Sequence, residues 1–238
     1  MSQTIIHRAD TRGHENHGWL DTYHTFSFAD YHDPERVHFG ALRVLNDDTV
    51  AGGMGFGTHP HDNMEIISIP TEGDLEHKDS MGNVQVIKHG DIQVMSAGTG
   101  IMHSEKNKNH DSPVKFFQIW VFPDRQNVTP RYGQITLNPA DRKNKLQMVV
   151  SPDEKNGATW IHQEAWFHLG SFDKGKQLQY ALKRNGNGLY AFIIEGEFTI
   201  HGEKLNRRDG MGIAGTDKIN IEANCNKAEL LLIEIPLL

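Results

Sequence analysis

The chain has a single cysteine, Cys225, which excludes an intramolecular disulfide and leaves no set of thiolates for a closed structural zinc site. Long apolar runs are missing, and none approaches the length of a membrane span; the opening Met1 to Arg8 is too brief and too polar for a secretory signal. Basic charge is in deficit. Against 31 Asp and Glu stand 24 Lys and Arg, a formal charge of -7, so neither nucleic acid nor an anionic membrane is the expected ligand. These absences describe a soluble, cytoplasmic protein. Its 238 residues suffice for one large or two small domains with proper cores.

What is abundant is histidine, 15 residues in all, and the stretch from Gly53 to Glu105 organises it. A Gly-rich approach leads to His59-Pro60-His61, and the run Gly98-Thr99-Gly100 leads to His103-Ser104-Glu105. Side chains two apart on a strand share a face, so each motif is a pincer. Three imidazoles and a carboxylate converge if the two strands face each other across a narrow barrel. The motifs alone carry little weight: at this density roughly one His-x-His arises by accident, and His162-Gln163-Glu164 and His201-Gly202-Glu203 share the second pattern. Context raises the first pair, through the alternating strand Met64 to Ile69, a turn-rich hairpin and the glycine turn before His103.

Residues 1–36 are rich in His, Asp and aromatics and show no helical periodicity. Strands are expected at Val37 to Leu45, Met64 to Ile69, Asp74 to Asp79, Val84 to Lys88 and Val114 to Phe122, with turns at Asn46 to Asp48, Glu72-Gly73, Ser80 to Asn83 and His89 to Asp91. Many short strands separated by turn residues mean an all-β barrel or sandwich. Beyond a passage over residues 124–158, with strands Gln134 to Leu137 and Leu146 to Val150, Ile193 to Gly202 echoes Ile69 to His77, and Asp209-Gly210 answers Gly90-Asp91. Counting from these markers places Leu182, Arg184, Ala223 and Cys225 where the first half has His59, His61, His103 and Glu105, so the second unit reads as free of metal ligands. His201 and Cys225 then read as structural or surface residues.

His59-Pro60-His61, the run Gly98 to Glu105 and the upstream segment Arg12 to Phe28 resemble the pirin family of the cupin superfamily, most closely its bacterial members with quercetin 2,3-dioxygenase activity. The specific motifs lie within residues 8–123; the later half matches in length and strand pattern. The resemblance implies a bicupin, two β-barrels of double-stranded β-helix (jelly-roll) type, with an N-terminal cupin domain over 1–130 holding the metal and a C-terminal cupin-like domain over 131–238. It implies iron held by His59, His61, His103 and Glu105. The general cupin pattern would instead use Glu65, four residues after the second His; the pirin resemblance and the pairing with His103 favour Glu105, and Glu65 is given a supporting or structural role.

Such a donor set suits Fe(II) and would also hold Mn, Co, Ni, Cu or Zn. His77 is a candidate for orienting a ligand or a solvated hairpin residue, and His14, His17 and His24 are expected to pack on Trp19, Tyr23, Phe26 and Phe28. The activity implied is cleavage of the heterocyclic ring of a flavonol by O₂ with release of CO, Glu105 serving as ligand and base. The partners expected are a flavonoid and O₂, for a monomer without direct nucleic-acid or membrane contact. The family also suggests a second role, a non-enzymatic iron-based redox sensor working through protein contacts.

Overall fold

The computed structural model describes residues 2–238. Two β-barrels of like design lie side by side, each a seven-stranded sheet closed by a four-stranded one, with two short 3₁₀ turns at Ala9–Thr11 and Pro139–Arg142. In the first barrel the large sheet runs Arg131–Thr136, Asp91–Ser96, Glu65–Glu72, Val114–Val121, Leu42–Val50, Leu20–His24, Gly13–Asn16. The small sheet runs Gly55–His61, Ile101–Asn107, Asp74–Asp79, Val84–Lys88. The second barrel repeats this order, its large sheet beginning Gln3–His7, Gly210–Ala214, Asn187–Glu195, Ala228–Pro236, Trp166–Phe172. The chain is therefore an all-β bicupin.

The two barrels exchange edge strands. Gln3–His7, at the start of the chain, pairs antiparallel with Gly210–Ala214 of the second sheet, and Arg131–Thr136 pairs with Asp91–Ser96 of the first. A cut between residues 130 and 131 thus does not fall between the sheets, because each takes its last strand from across it. Strand Gln3–His7 was not expected, since its partner lies some two hundred residues away and nothing local announces it.

Period-2 alternation sets the core. On Val114–Val121, Phe117, Ile119 and Val121 face the second barrel, where they meet Phe167, Phe192, Leu231 and Ile233 in the largest apolar cluster. The alternate residues, Phe116, Gln118 and Trp120, face the first barrel's interior. Both sides of the strand are covered, which is why the segment reads as an almost unbroken apolar run. The interior of the second barrel is packed with Phe172, Tyr180, Phe198, Ile200, Ile219, Ile221 and Leu232. That of the first holds only two smaller clusters, because polar side chains take the rest of its space.

One strand departs from expectation. The segment Val37 to Ala41 turns, and the strand is Leu42–Val50. Gly40 has a left-handed φ of +53° and lies so close to the Pro236 carbonyl that a Cβ would sit 2.2 Å from that oxygen; Ala41 N–H then donates to it at 2.9 Å. The chain is pinned there against the second barrel, and the strand starts only afterwards. Asn46-Asp47-Asp48, by composition a turn, lies mid-strand, with Asn46 and Asp48 buried.

Candidate metal centre

Strands Gly55–His61 and Ile101–Asn107 are antiparallel neighbours in the small sheet, and the register sets His103 opposite His59 and Ile101 opposite His61. Of the glycines before His59, Gly55 has a steric reason: a Cβ there would stand 2.3 Å from the Glu105 carbonyl oxygen. Along Ile101–Asn107 the odd-numbered residues are buried, so His103 and Glu105 share the interior face. A shift in register between His103 and Glu105 is absorbed opposite, at Gly57 and Thr58, and leaves that alternation intact.

His59, His61 and His103 come together: one ring nitrogen from each lies within 4.8 Å of the other two, with ring centroids 4.4 to 4.9 Å apart. The Gly57 carbonyl accepts from His59 Nδ1 at 2.8 Å, which puts the proton on that nitrogen and leaves Nε2 a lone pair. Burial and the neighbouring His59 lower the pKa of His61 to about 4 and, with His61 adding to it, that of His103 to about 2. Both are therefore neutral at physiological pH. His103 is 2% exposed, and its Nε2 has no hydrogen-bond partner. A buried, unpartnered ring nitrogen among imidazoles fits a borderline divalent ion, and the nitrogen-rich donor set suits iron, nickel and their neighbours.

Glu105 stands on the same face, outside the group of three nitrogens. Its Oε1 accepts from Ser68 Oγ at 3.1 Å and its Oε2 from Gln118 Nε2 at 2.7 Å, and burial raises its pKa to about 7 against the pull of both donors. Glu65 faces the other way, toward the second barrel with Ile67 and Ile69, where Ser96 Oγ donates to it at 2.7 Å. Strand parity therefore points Ser68, not Glu65, at the centre.

Next to the imidazoles is a cavity of about 200 Å³. Leu20, Phe28, Phe56 and Trp120 give it apolar walls, Thr22, His24, Asn46, Asp48 and Gln118 a polar side, and Glu15 and His17 a rim; His59 and Glu105 also line it. Asp48 accepts from Thr22, and burial, with Glu105's charge as a lesser contribution, pushes its carboxyl up to about 7. The early histidines behave mostly as aromatic neighbours: His14 stacks on Tyr23 at 4.2 Å and His24 packs against Phe28, while His17 is solvent-facing beside Glu15. His77 is fully buried rather than solvated. His201 reaches only Ser2, and Cys225 packs beside Gly196.

A family model described as Pirin matches residues 6–121, and one described as Quercetinase C-terminal cupin domain matches residues 148–235. The quercetin 2,3-dioxygenase of Escherichia coli K12 is 42% identical over 233 residues, spanning 97% of this chain and 98% of its own length. The chain belongs to the pirin family. A pirin-like protein of Caulobacter vibrioides is 38% identical over 94% of the chain and 96% of its own. The solved structure of the bacterial pirin YhhW from Escherichia coli in complex with nickel(II) superposes with a TM-score of 0.94 at 39% identity, covering 99% of this chain and 100% of that one.

Ser68, Gln118, Asp48 and Trp120, which belong to no metal-ligand motif, surround the pirin centre here. A signal was available for two of them. Ser68 and Gln118 are the polar residues that interrupt otherwise apolar strands, and a polar residue on a buried face marks a place where something must be bonded.

Proposed function

We infer that this protein is a metal-dependent dioxygenase that opens the heterocyclic ring of flavonols such as quercetin with O₂ and releases CO. What carries the reading is the unpartnered His103 nitrogen among three imidazoles at the edge of an apolar-walled cavity. Relatives named quercetin 2,3-dioxygenase that span nearly the whole chain support it. His59, His61 and His103 would hold the ion, with Glu105 as fourth ligand; Fe(II) is our first choice, and Ni, Co, Mn, Cu or Zn fit the same donors. Such an ion, when bound, supplies Lewis acidity that makes a flavonol 3-hydroxyl more acidic and leaves open positions for reactants.

The chain's own residues do the rest. Glu105 takes the proton of the 3-hydroxyl, because it is the carboxylate on the imidazoles' face. Ser68 and Gln118 hold its two oxygens and keep them aimed. Phe28, Phe56 and Trp120 offer flat apolar contact to an aromatic ring and exclude water around the deprotonated substrate. The test is aerobic incubation of iron-loaded protein with quercetin, following loss of the flavonol absorbance. Glu105→Gln is expected to keep much of the metal and lose most turnover, and His59→Ala to lose both. Turnover in Glu105→Gln equal to that of the parent protein rejects the base; no turnover in the parent rejects the activity.

A further inference from the structure

Behind the imidazoles, the hairpin joining Asp74–Asp79 to Val84–Lys88 directs a chain of hydrogen bonds at His103. Asp79 anchors it. Its Oδ1 accepts the backbone N–H of Met81 at 2.9 Å and of Asn83 at 3.0 Å, and its Oδ2 accepts from the Asn83 side-chain amide at 2.8 Å. The fourth contact, His77 Nε2 to Oδ2 at 3.0 Å, completes a carboxylate that is an acceptor in every direction, and both side chains are within 1% of complete burial. His77 Nε2 must therefore carry a proton. Its other nitrogen is then a lone pair, and it faces His103 Nδ1 at 3.5 Å. That lone pair calls for the proton of His103 to sit on Nδ1, which leaves His103 Nε2 free. The Tyr132 ring packs on His77 at a centroid distance of 4.9 Å and holds its plane.

We propose that Asp79 and His77 are positioning residues that lock His103 in the Nδ1–H tautomer, so that its Nε2 lone pair is formed before an ion arrives and is made more basic by the carboxylate at the far end of the chain. A ligand imidazole bonded on its far side to such a partner binds metal more tightly, by 10- to 100-fold as judged by the usual effect of removing the partner. This concerns retention of the metal and holds whatever the substrate is.

Asp79→Asn tests it with little change of shape. The new amide cannot accept in every direction. With its oxygen kept for the two backbone N–H groups, its NH₂ meets the Asn83 side chain, whose amide turns over to accept, and His77 Nε2, which must now accept as well; His77 then donates from Nδ1, and the proton of His103 moves to Nε2, where the metal should go. In metal-free protein, long-range ¹H–¹⁵N correlation of the His103 ring is expected to show Nδ1 protonated in the parent and Nε2 protonated in Asp79→Asn. The Ni(II) dissociation constant, measured by chelator competition, is expected to rise about 10- to 100-fold. His77→Leu should lose the same amount, whereas His77→Gln, which can donate to Asp79 and present an oxygen to His103, should recover most of it. An unchanged His103 tautomer, or Ni(II) binding by Asp79→Asn as tight as the parent's, overturns the proposal. If circular dichroism shows Asp79→Asn to be unfolded, equal Ni(II) affinity in His77→Leu and His77→Gln overturns it instead, and the expected gap between them supports it.

Discussion

His168 offers the cleanest quantitative test of how these barrels are built. It lies on Trp166–Phe172, the second barrel's counterpart of Leu42–Val50, is 6% exposed, meets Tyr180 edge-on at 5.2 Å and has no partner for Nδ1. Burial, with a smaller contribution from the charge of Lys183, lowers its pKa from 6.5 to about 3. For a base whose folded pKa is depressed, the unfolded chain binds the extra proton over the window between the two values. Stability is therefore whole above pH 6.5, falls as the pH drops below it, and the loss is complete near pH 3. At about 1.4 kcal/mol per unit, the step from neutral to pH 5 costs about 2 kcal/mol through this residue alone. His168→Leu has no such group. Urea unfolding of parent and variant at pH 7.5 and pH 5, with chelator present throughout, should show the parent losing about 2 kcal/mol more than the variant. His61, His103 and the buried carboxylates titrate in both proteins and cancel in the difference. Equal losses on acidification would mean that His168 is not held neutral by burial.

Two further outcomes are expected. Ni(II) at a hundred times its dissociation constant should stabilise the protein by about 2.7 kcal/mol, a rise in Tm of roughly 5–10 °C that His61→Ala abolishes and a chelator reverses; a thermal shift that survives in His61→Ala would place the ion elsewhere. Gly98→Ala should destabilise by more than about 2 kcal/mol in urea and weaken Ni(II) binding. The residue has φ of +49°, and a Cβ there would stand 2.0 Å from the Val128 carbonyl oxygen, at the turn that delivers His103.

Much of the centre was legible because its logic is local. His59 with His61, and His103 with Glu105, needed only the two-residue repeat of a strand and a glycine turn to be set on common faces. The strands Asp74–Asp79 and Val84–Lys88 follow from alternation and a hairpin tip in the same way. What could not be read depends on which strand comes to lie alongside. Asn46-Asp47-Asp48 has the composition of a turn, yet it runs on as strand because Asn46 bonds His24 and Asp48 bonds Thr22, their direct partners on the neighbouring strand Leu20–His24. Gln3–His7 and Arg131–Thr136 were misplaced for a related reason, as each completes a sheet belonging to the other half of the sequence.

The miss at Asn46 to Asp48 coincides with the candidate site. A barrel interior filled by Tyr180, Phe198, Ile219 and Ile221 obeys the hydrophobic pattern and carries no chemistry. In the first barrel the same design gives up apolar volume to His24, Asn46, Asp48, Glu105 and Gln118, and so breaks the pattern where a ligand can be met. The stability forgone there has a visible source in the second barrel, whose solid interior and borrowed strand Gln3–His7 back the large shared face against which the first barrel's main sheet is laid. A pirin needs both barrels on this view, although the cluster of three imidazoles comes entirely from one: the packed barrel lets the other stay partly polar.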